Sequence, residues 1–145
     1  MKNGTLYLLA LSSGVLLSLA WPNIGGLTPL LFIALIPLLL VEDRVLQEKK
    51  EGRKKRLLPY SYITFLSFNL FTTWWVWNAS AFGAVAAITI NALFSAIIFN
   101  LYHYVRGVLG DVRGFFGLLV LWLGWEYFHM HWDLSWPWLS LGNGL

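Results

Sequence analysis

The chain has 145 residues, 58% hydrophobic and 12% charged, with a mean hydropathy of +0.64 and a formal charge of +3. A soluble domain of this size needs far more charge to cover its surface, so lipid must solvate part of it. The net charge is too small to point to nucleic acid, and the lack of cysteine excludes disulfides, thiolate metal sites and a thiol nucleophile within these residues.

Five apolar stretches predict an all-α membrane protein, a bundle of about five transmembrane helices. The first runs over about 5–21. Lys2 gives it a basic start and Ser18-Leu19-Ala20 resembles a small-residue cleavage site, as in a signal peptide. Four more apolar segments follow, so it reads as an uncleaved first span. Asn23-Ile24-Gly25-Gly26 is a tight turn closing a helical hairpin onto the second stretch, about 27–41. That stretch is short; Pro29 suits a helix's first turn, and Pro37 predicts a kink.

A loop over 42–57 follows, carrying Arg44, Lys49, Lys50, Arg53, Lys54, Lys55 and Arg56 against Glu42, Asp43, Glu48 and Glu51, a local net of +3. It reads as a solvated, positive loop that sets topology, with binding of anionic head groups as the functional alternative. The third span covers about 58–77, the fourth 82–105 and the fifth 115–131, ahead of an outer Trp-rich element at 132–145.

The remaining basic residues are Lys2, Arg106 and Arg113, so with five crossings every Lys and Arg falls on one side. The positive-inside rule then places the N-terminus in the cytoplasm. Seven of nine tryptophans (Trp21, Trp74, Trp75, Trp77, Trp132, Trp136 and Trp138) lie at or beyond the opposite ends of the spans. Indoles favour the headgroup boundary, but a belt on one face only suggests a site for lipid or an acyl chain there.

Glu126 is the one carboxylate inside a predicted span and must face protein or water. His129, three residues on, shares its helical face and is placed to pair with it. The reading the sequence favours is that Glu126 lies near the outer interface and anchors the following loop by hydrogen bonds, with substrate contact or a proton relay as the alternatives. Asn69, Asn91 and Asn100 read as glue between helices, His103 as a packing or interfacial residue, and Gly114, Gly117 and Gly124 as points of close helix approach. The histidines His103, His129 and His131 have no metal-ligand spacing, and no metal or other cofactor is expected. Residues 132–144 are apolar yet broken by Pro137, Gly142 and Gly144, which predicts an irregular or re-entrant element walling a cavity.

Three stretches carry a resemblance to a known family: Leu17-Ser18-Leu19-Ala20-Trp21-Pro22 with Phe32 to Leu39; Thr73-Trp74-Trp75-Val76-Trp77; and Trp122-Leu123-Gly124-Trp125-Glu126-Tyr127 with Ser135-Trp136-Pro137-Trp138-Leu139-Ser140-Leu141-Gly142-Asn143. In order and spacing they resemble the N-terminal membrane region of apolipoprotein N-acyltransferases. The resemblance implies a bacterial inner-membrane protein and transfer of an acyl chain from phospholipid to the N-terminal diacylglyceryl-cysteine of a lipoprotein. In that family a cysteine of a periplasmic nitrilase-like domain, helped by a glutamate and a lysine, carries the acyl chain, after a bundle of eight spans.

By the same resemblance Trp138 is the tryptophan of the family's Pro-Trp element at the membrane-facing mouth of the active site. Glu126 matches the family's glutamate, and His129 stands where many members carry arginine. Trp138, Glu126, Trp136 and Pro137 are therefore the candidate substrate or lipid contacts, and no catalytic residue is expected in this chain. Without the nitrilase-like domain, the chain reads as a truncated product, or a split half whose partner chain supplies catalysis. It is expected to be inactive alone. The competing expectation is a self-sufficient transporter-like or scaffold protein with Glu126 as an intramembrane ion or proton site.

Overall fold

The computed structural model describes residues 2–133 and 136–144, with backbone only at Pro137. Met1, Leu134, Ser135 and Leu145 lie outside the described residues. Among the described residues the chain is all-helical, with five α-helices: α1 Asn3–Ala20, α2 Ile36–Lys50, α3 Leu58–Thr73, α4 Ala81–Leu109 and α5 Asp111–Met130. Two of them, α1 and α4, are long and apolar enough to cross a membrane, with mean hydropathies reaching 1.4 and 2.1. In α5 the charges of Asp111, Arg113 and Glu126 dilute an apolar sequence, while α2 and α3 are shorter, at 15 and 16 residues.

The turn after α1 forms as its glycines require. The amide groups of Ile24, Gly25 and Gly26 converge on the Trp21 carbonyl at 3.0–3.1 Å, and Gly26 adopts φ 63, which a side chain would strain. The second apolar segment departs from expectation. In place of one helix over 27–41, Thr28–Phe32 forms a 3-10 turn, the chain breaks at 33–35, and α2 starts at Ile36. Pro37 does not kink a helix but opens one, because a first-turn residue needs no amide proton. Leu38, whose amide also has no partner within the helix, donates instead to Ser13 Oγ of α1 at 2.9 Å.

The expected loop at 42–57 is also corrected, since its first nine residues continue α2. Glu42 and Glu48 are buried there rather than solvated. Glu42 accepts from Arg106 Nη1 of α4, lies 2.7 Å from His103 Nδ1 and receives the Tyr102 hydroxyl at 3.4 Å. Arg106 extends the cluster to Asp43 and to Asp111 of α5, each at 2.9 Å. An ionised group so deep requires such compensation, and here the compensation ties α2, α4 and α5 together. His103, expected as a packing residue, is part of this ionic cluster.

Helices α1 and α3 run parallel and pack very closely. A Cβ on Gly14 would sit 1.9 Å from Ser67 Oγ and 2.5 Å from the Thr64 carbonyl. Thr64 Oγ1 donates across the same seam to the Ala10 carbonyl at 2.7 Å. Between α3 and α4, Asn100 donates to Ser61 Oγ at 2.8 Å, while Asn69 and Asn91 donate only to carbonyls of their own helices. Of the three expected asparagine bridges, Asn100 is the one that forms. Gly110, at φ 83, reverses the chain from α4 into α5, and a Cβ on Gly114 would meet that of Arg106 at 2.6 Å. Gly117 is similarly close to Val105, whereas Gly124 faces open space.

The core runs along the bundle through Leu6, Leu17, Trp21, Leu38, Val45, Phe65, Phe68, Phe99 and Tyr102. Outside it, large apolar side chains such as Phe82, Val112 and Phe116 are almost bare, an extent of exposed hydrocarbon that soluble monomers avoid.

Candidate functional site

The end of the bundle opposite the ionic cluster holds most of the indoles. Thr73 ends α3 as an α-helix, and Trp74–Asn78 tightens into a 3-10 turn rather than continuing to residue 77 in α geometry. Beyond α5 the chain is irregular, as its Pro and Gly content predicts, with short 3-10 turns at Pro137–Leu139 and Leu141–Gly144. Gly144 packs against Leu31 and Trp21, which brings the end of the chain back onto the α1 hairpin.

Glu126 holds this element down. Its Oε1 accepts from Trp122 Nε1 at 2.9 Å, one helical turn back, and from the Leu141 amide at 2.8 Å, fifteen residues on. The anchoring reading therefore describes Glu126, and the pair with His129 does not form. His129 instead stacks on Trp125, with centroids 4.8 Å apart and planes at 22°, and accepts through Nδ1 from Trp132 Nε1 at 2.9 Å. Phe94 of α4 packs edge-on to Trp132 and tilted against Trp125, which closes an aromatic cluster around the end of α5.

The four sequence candidates do not gather at one point. Glu126 and Trp136 share a small cavity of about 40 Å³ of mixed lining, with Asn91, Ser95, His129 and Ser140 as its other polar residues, and the Trp136 indole nitrogen is buried without a partner. Pro137 begins the first 3-10 turn. Trp138 turns away, 55% exposed, with its ring edge-on to Trp75 at 5.8 Å. These two indoles join the terminal element to the end of α3.

A larger feature lies on the other side of Glu126. An apolar groove of about 370 Å³ runs between the 3-10 turn at Thr28–Phe32 and α5, lined by Leu31, Phe32, Leu35, Leu118, Leu119, Trp122 and Leu123. Leu141 and Gly142 roof one end, where Glu126 completes the lining. The groove exists because the second segment breaks at 33–35: an unbroken helix would have presented a continuous ridge to α5. Sequence reasoning missed its apolar walls, since Leu31, Leu35 and Leu118 look like any other leucine in a span. Pro29 and Pro37, eight residues apart, were the available signal of a break.

The geometry is that of a hydrocarbon-sized slot with a single acidic group at its end. Such a slot can hold and orient an apolar chain, and it contains no thiol.

Residues 13–145 match the apolipoprotein N-acyltransferase N-terminal domain family. Among curated proteins, the apolipoprotein N-acyltransferase of Chlorobaculum tepidum is 33% identical over 140 residues, covering 94% of this chain and 25% of its own length. That of Geobacter metallireducens is 32% identical over 145 residues, covering 94% of this chain and 26% of its own. The chain thus spans about a quarter of the length of the curated relatives it matches. No solved structure matches it significantly.

Proposed function

The chain belongs to the apolipoprotein N-acyltransferase family, and from that premise we propose that it forms the lipid-holding membrane part of such an acyltransferase. The groove between the 3-10 turn and α5 carries the reading. In it one acyl chain of a phospholipid lies along Leu31, Leu35, Leu118 and Leu123, with its ester end near Glu126 and the turn at Leu141. The acceptor is the diacylglyceryl-cysteine of a lipoprotein, and the thiol that carries the acyl group belongs to a nitrilase-like domain outside these 145 residues. The chain sits in a bacterial inner membrane with five crossings, the second made in two pieces by the 3-10 turn and the apolar start of α2 up to Val41, its cation-rich end cytoplasmic and its indole-rich end periplasmic.

Support comes from the slot's apolar lining, from the exposed hydrocarbon elsewhere on the bundle and from the confinement of Lys and Arg to one end. Glu126 anchors the roof of the slot through Trp122 and Leu141, which favours a structural role over an ion or proton site.

The test is to reconstitute the chain with a phospholipid bearing a photoreactive group midway along one acyl chain and map the adducts by mass spectrometry. Adducts concentrated at Leu31, Leu35, Leu118 and Leu123 are expected. An even spread over lipid-facing residues such as Leu8, Val85 and Ile97 would refute a dedicated slot. Acyl transfer from labelled phospholipid to a diacylglyceryl peptide by this chain alone would refute the division of labour.

A further inference from the structure

At the cation-rich end the chain leaves α2 through Glu51 and Gly52. Gly52 adopts φ 80, its amide donates to the Lys49 carbonyl and the Arg53 amide to the Glu48 carbonyl, so the backbone turns back on the helix end. This reversal brings Lys55 and Arg56, on the return, to the same side as Lys49 in the last turn of α2. The three cations line a pocket of about 360 Å³ against α4, with Leu58, Asn100 and His103 forming its other walls.

The acids of this stretch all have partners, and of the pocket's cations only Lys55 is among those partners. Glu48 is held by Arg44 at 2.9 Å and Lys55 at 3.0 Å, with Arg53 at 3.9 Å. Glu51 pairs with Arg53 at 2.7 Å, while Glu42 and Asp43 are taken by Arg106. Among the described residues no carboxylate lies within ion-pair reach of Lys49 or Arg56, so both bring uncompensated charge to one concavity. A merely solvated loop would spread its cations into water to lower their mutual repulsion. Convergence on one pocket is what an anionic ligand would stabilise.

We propose that this pocket binds the phosphate of an anionic phospholipid headgroup from the leaflet at this end of the bundle. A free phosphate presents the same charge, but the surroundings favour lipid: Leu58 on the pocket wall and Leu101 and Tyr104 nearby on α4 are exposed apolar surface beside the cations. Phosphate would sit on Lys49 and Arg56, with Lys55, held by Glu48, on the wall beside them, and the tails on that surface. The inference rests on the chain being in a membrane, but not on the slot at the opposite end or on acyl transfer.

The test is to purify the whole chain from micelles containing equal phosphatidylglycerol and phosphatidylcholine and to measure the co-purifying lipid by mass spectrometry. Wild type should retain phosphatidylglycerol preferentially. Each cation near an anionic headgroup is worth about five-fold in affinity, so Lys49→Gln with Arg56→Gln should cut the preference on the order of 20-fold. Lys50→Gln with Lys54→Gln removes the same charge from the same stretch outside the pocket and should cost much less. Should the first pair fail to fold, the wild-type preference must still collapse as salt is raised while bound phosphatidylcholine stays constant. No preference in wild type, a salt-insensitive preference, or equal losses in the two double variants would overturn the proposal. Displacement of the lipid by inorganic phosphate at equal concentration would assign the pocket to the free anion and overturn the lipid assignment.

Discussion

Replacing Arg106 by methionine keeps most of the side chain's volume and removes its charge, which strands Glu42. Glu42 is 0% exposed, and after the change it keeps only His103 Nδ1 at 2.7 Å and the Tyr102 hydroxyl at 3.4 Å. Removing one partner of a buried pair costs about 3–5 kcal/mol, because the remaining charge is neither solvated nor compensated. The bonds to Asp43 and Asp111 add little, since those carboxylates are 43% and 68% exposed and such pairs are worth about 0–1 kcal/mol each. Arg106→Met should therefore destabilise the bundle by about 4 kcal/mol. The double variant Glu42→Leu, Arg106→Met removes the stranded charge as well and should recover most of this loss, to within about 1–2 kcal/mol of wild type. Reversible unfolding in mixed micelles, followed by helical circular dichroism, measures all three proteins. A loss below about 1 kcal/mol for the single variant, or a double variant as unstable as the single, would refute the assignment of Glu42 as a buried ion dependent on Arg106.

The bonds of two other glutamates set two further outcomes. Glu126→Leu removes the acceptor shared by Trp122 and the Leu141 amide and should cost about 1.5–3 kcal/mol, with amide exchange at Leu141 greatly accelerated. Glu126→Gln keeps an acceptor oxygen, so exchange there should change little; equal acceleration in both variants would mean that charge, rather than the acceptor, matters. Hydrogen bonding from Lys55, together with the nearby Arg44 charge, holds the Glu48 carboxyl below its ordinary value of 4.5. Its contribution is therefore complete above that ordinary value and is lost as pH falls through the lower folded value. The unfolding midpoint of wild type should drop across this acid range, and Glu48→Gln should start lower and show a shallower acid slope; identical slopes would rule Glu48 out.

The helices were legible where one signal dominated. Hydropathy and length set α1 and α4, whose ends fall within four residues of expectation, and the pair Gly25-Gly26 marked the first hairpin. Segment two was not legible, because a run of apolar residues reads the same in α and 3-10 geometry and Pro37 suits either a kink or a first turn. Treating 42–57 as a loop failed for a related reason: charge marks where a chain leaves lipid, not where a helix ends. The ionic cluster could have been found by aligning the predicted spans. Glu42 and Asp43 close the second and His103 and Arg106 close the fourth, at the same expected depth.

The site at the other end was harder to read because its contacts cross long sequence gaps. From sequence, Glu126 read as an anchor for the following loop, but with His129, three residues away on one face, as the only partner in view. The actual partners are Trp122, on the same helix, and a backbone amide fifteen residues later, which no side-chain pattern reveals. That bond also gives the resemblance a physical meaning. A glutamate followed by a Pro-Trp-Leu element at this distance is what is needed if the element must fold back over the end of α5 and be pinned there. The pinned Leu141 then roofs the groove, while Trp138, on the same element, reaches Trp75 at the end of α3. One carboxylate thus pins an element that both roofs the groove and carries the exposed indole to α3, so if the groove holds an acyl chain as proposed, Glu126→Leu should shift photoadducts away from Leu31 and Leu118, and an unchanged adduct map would refute the link.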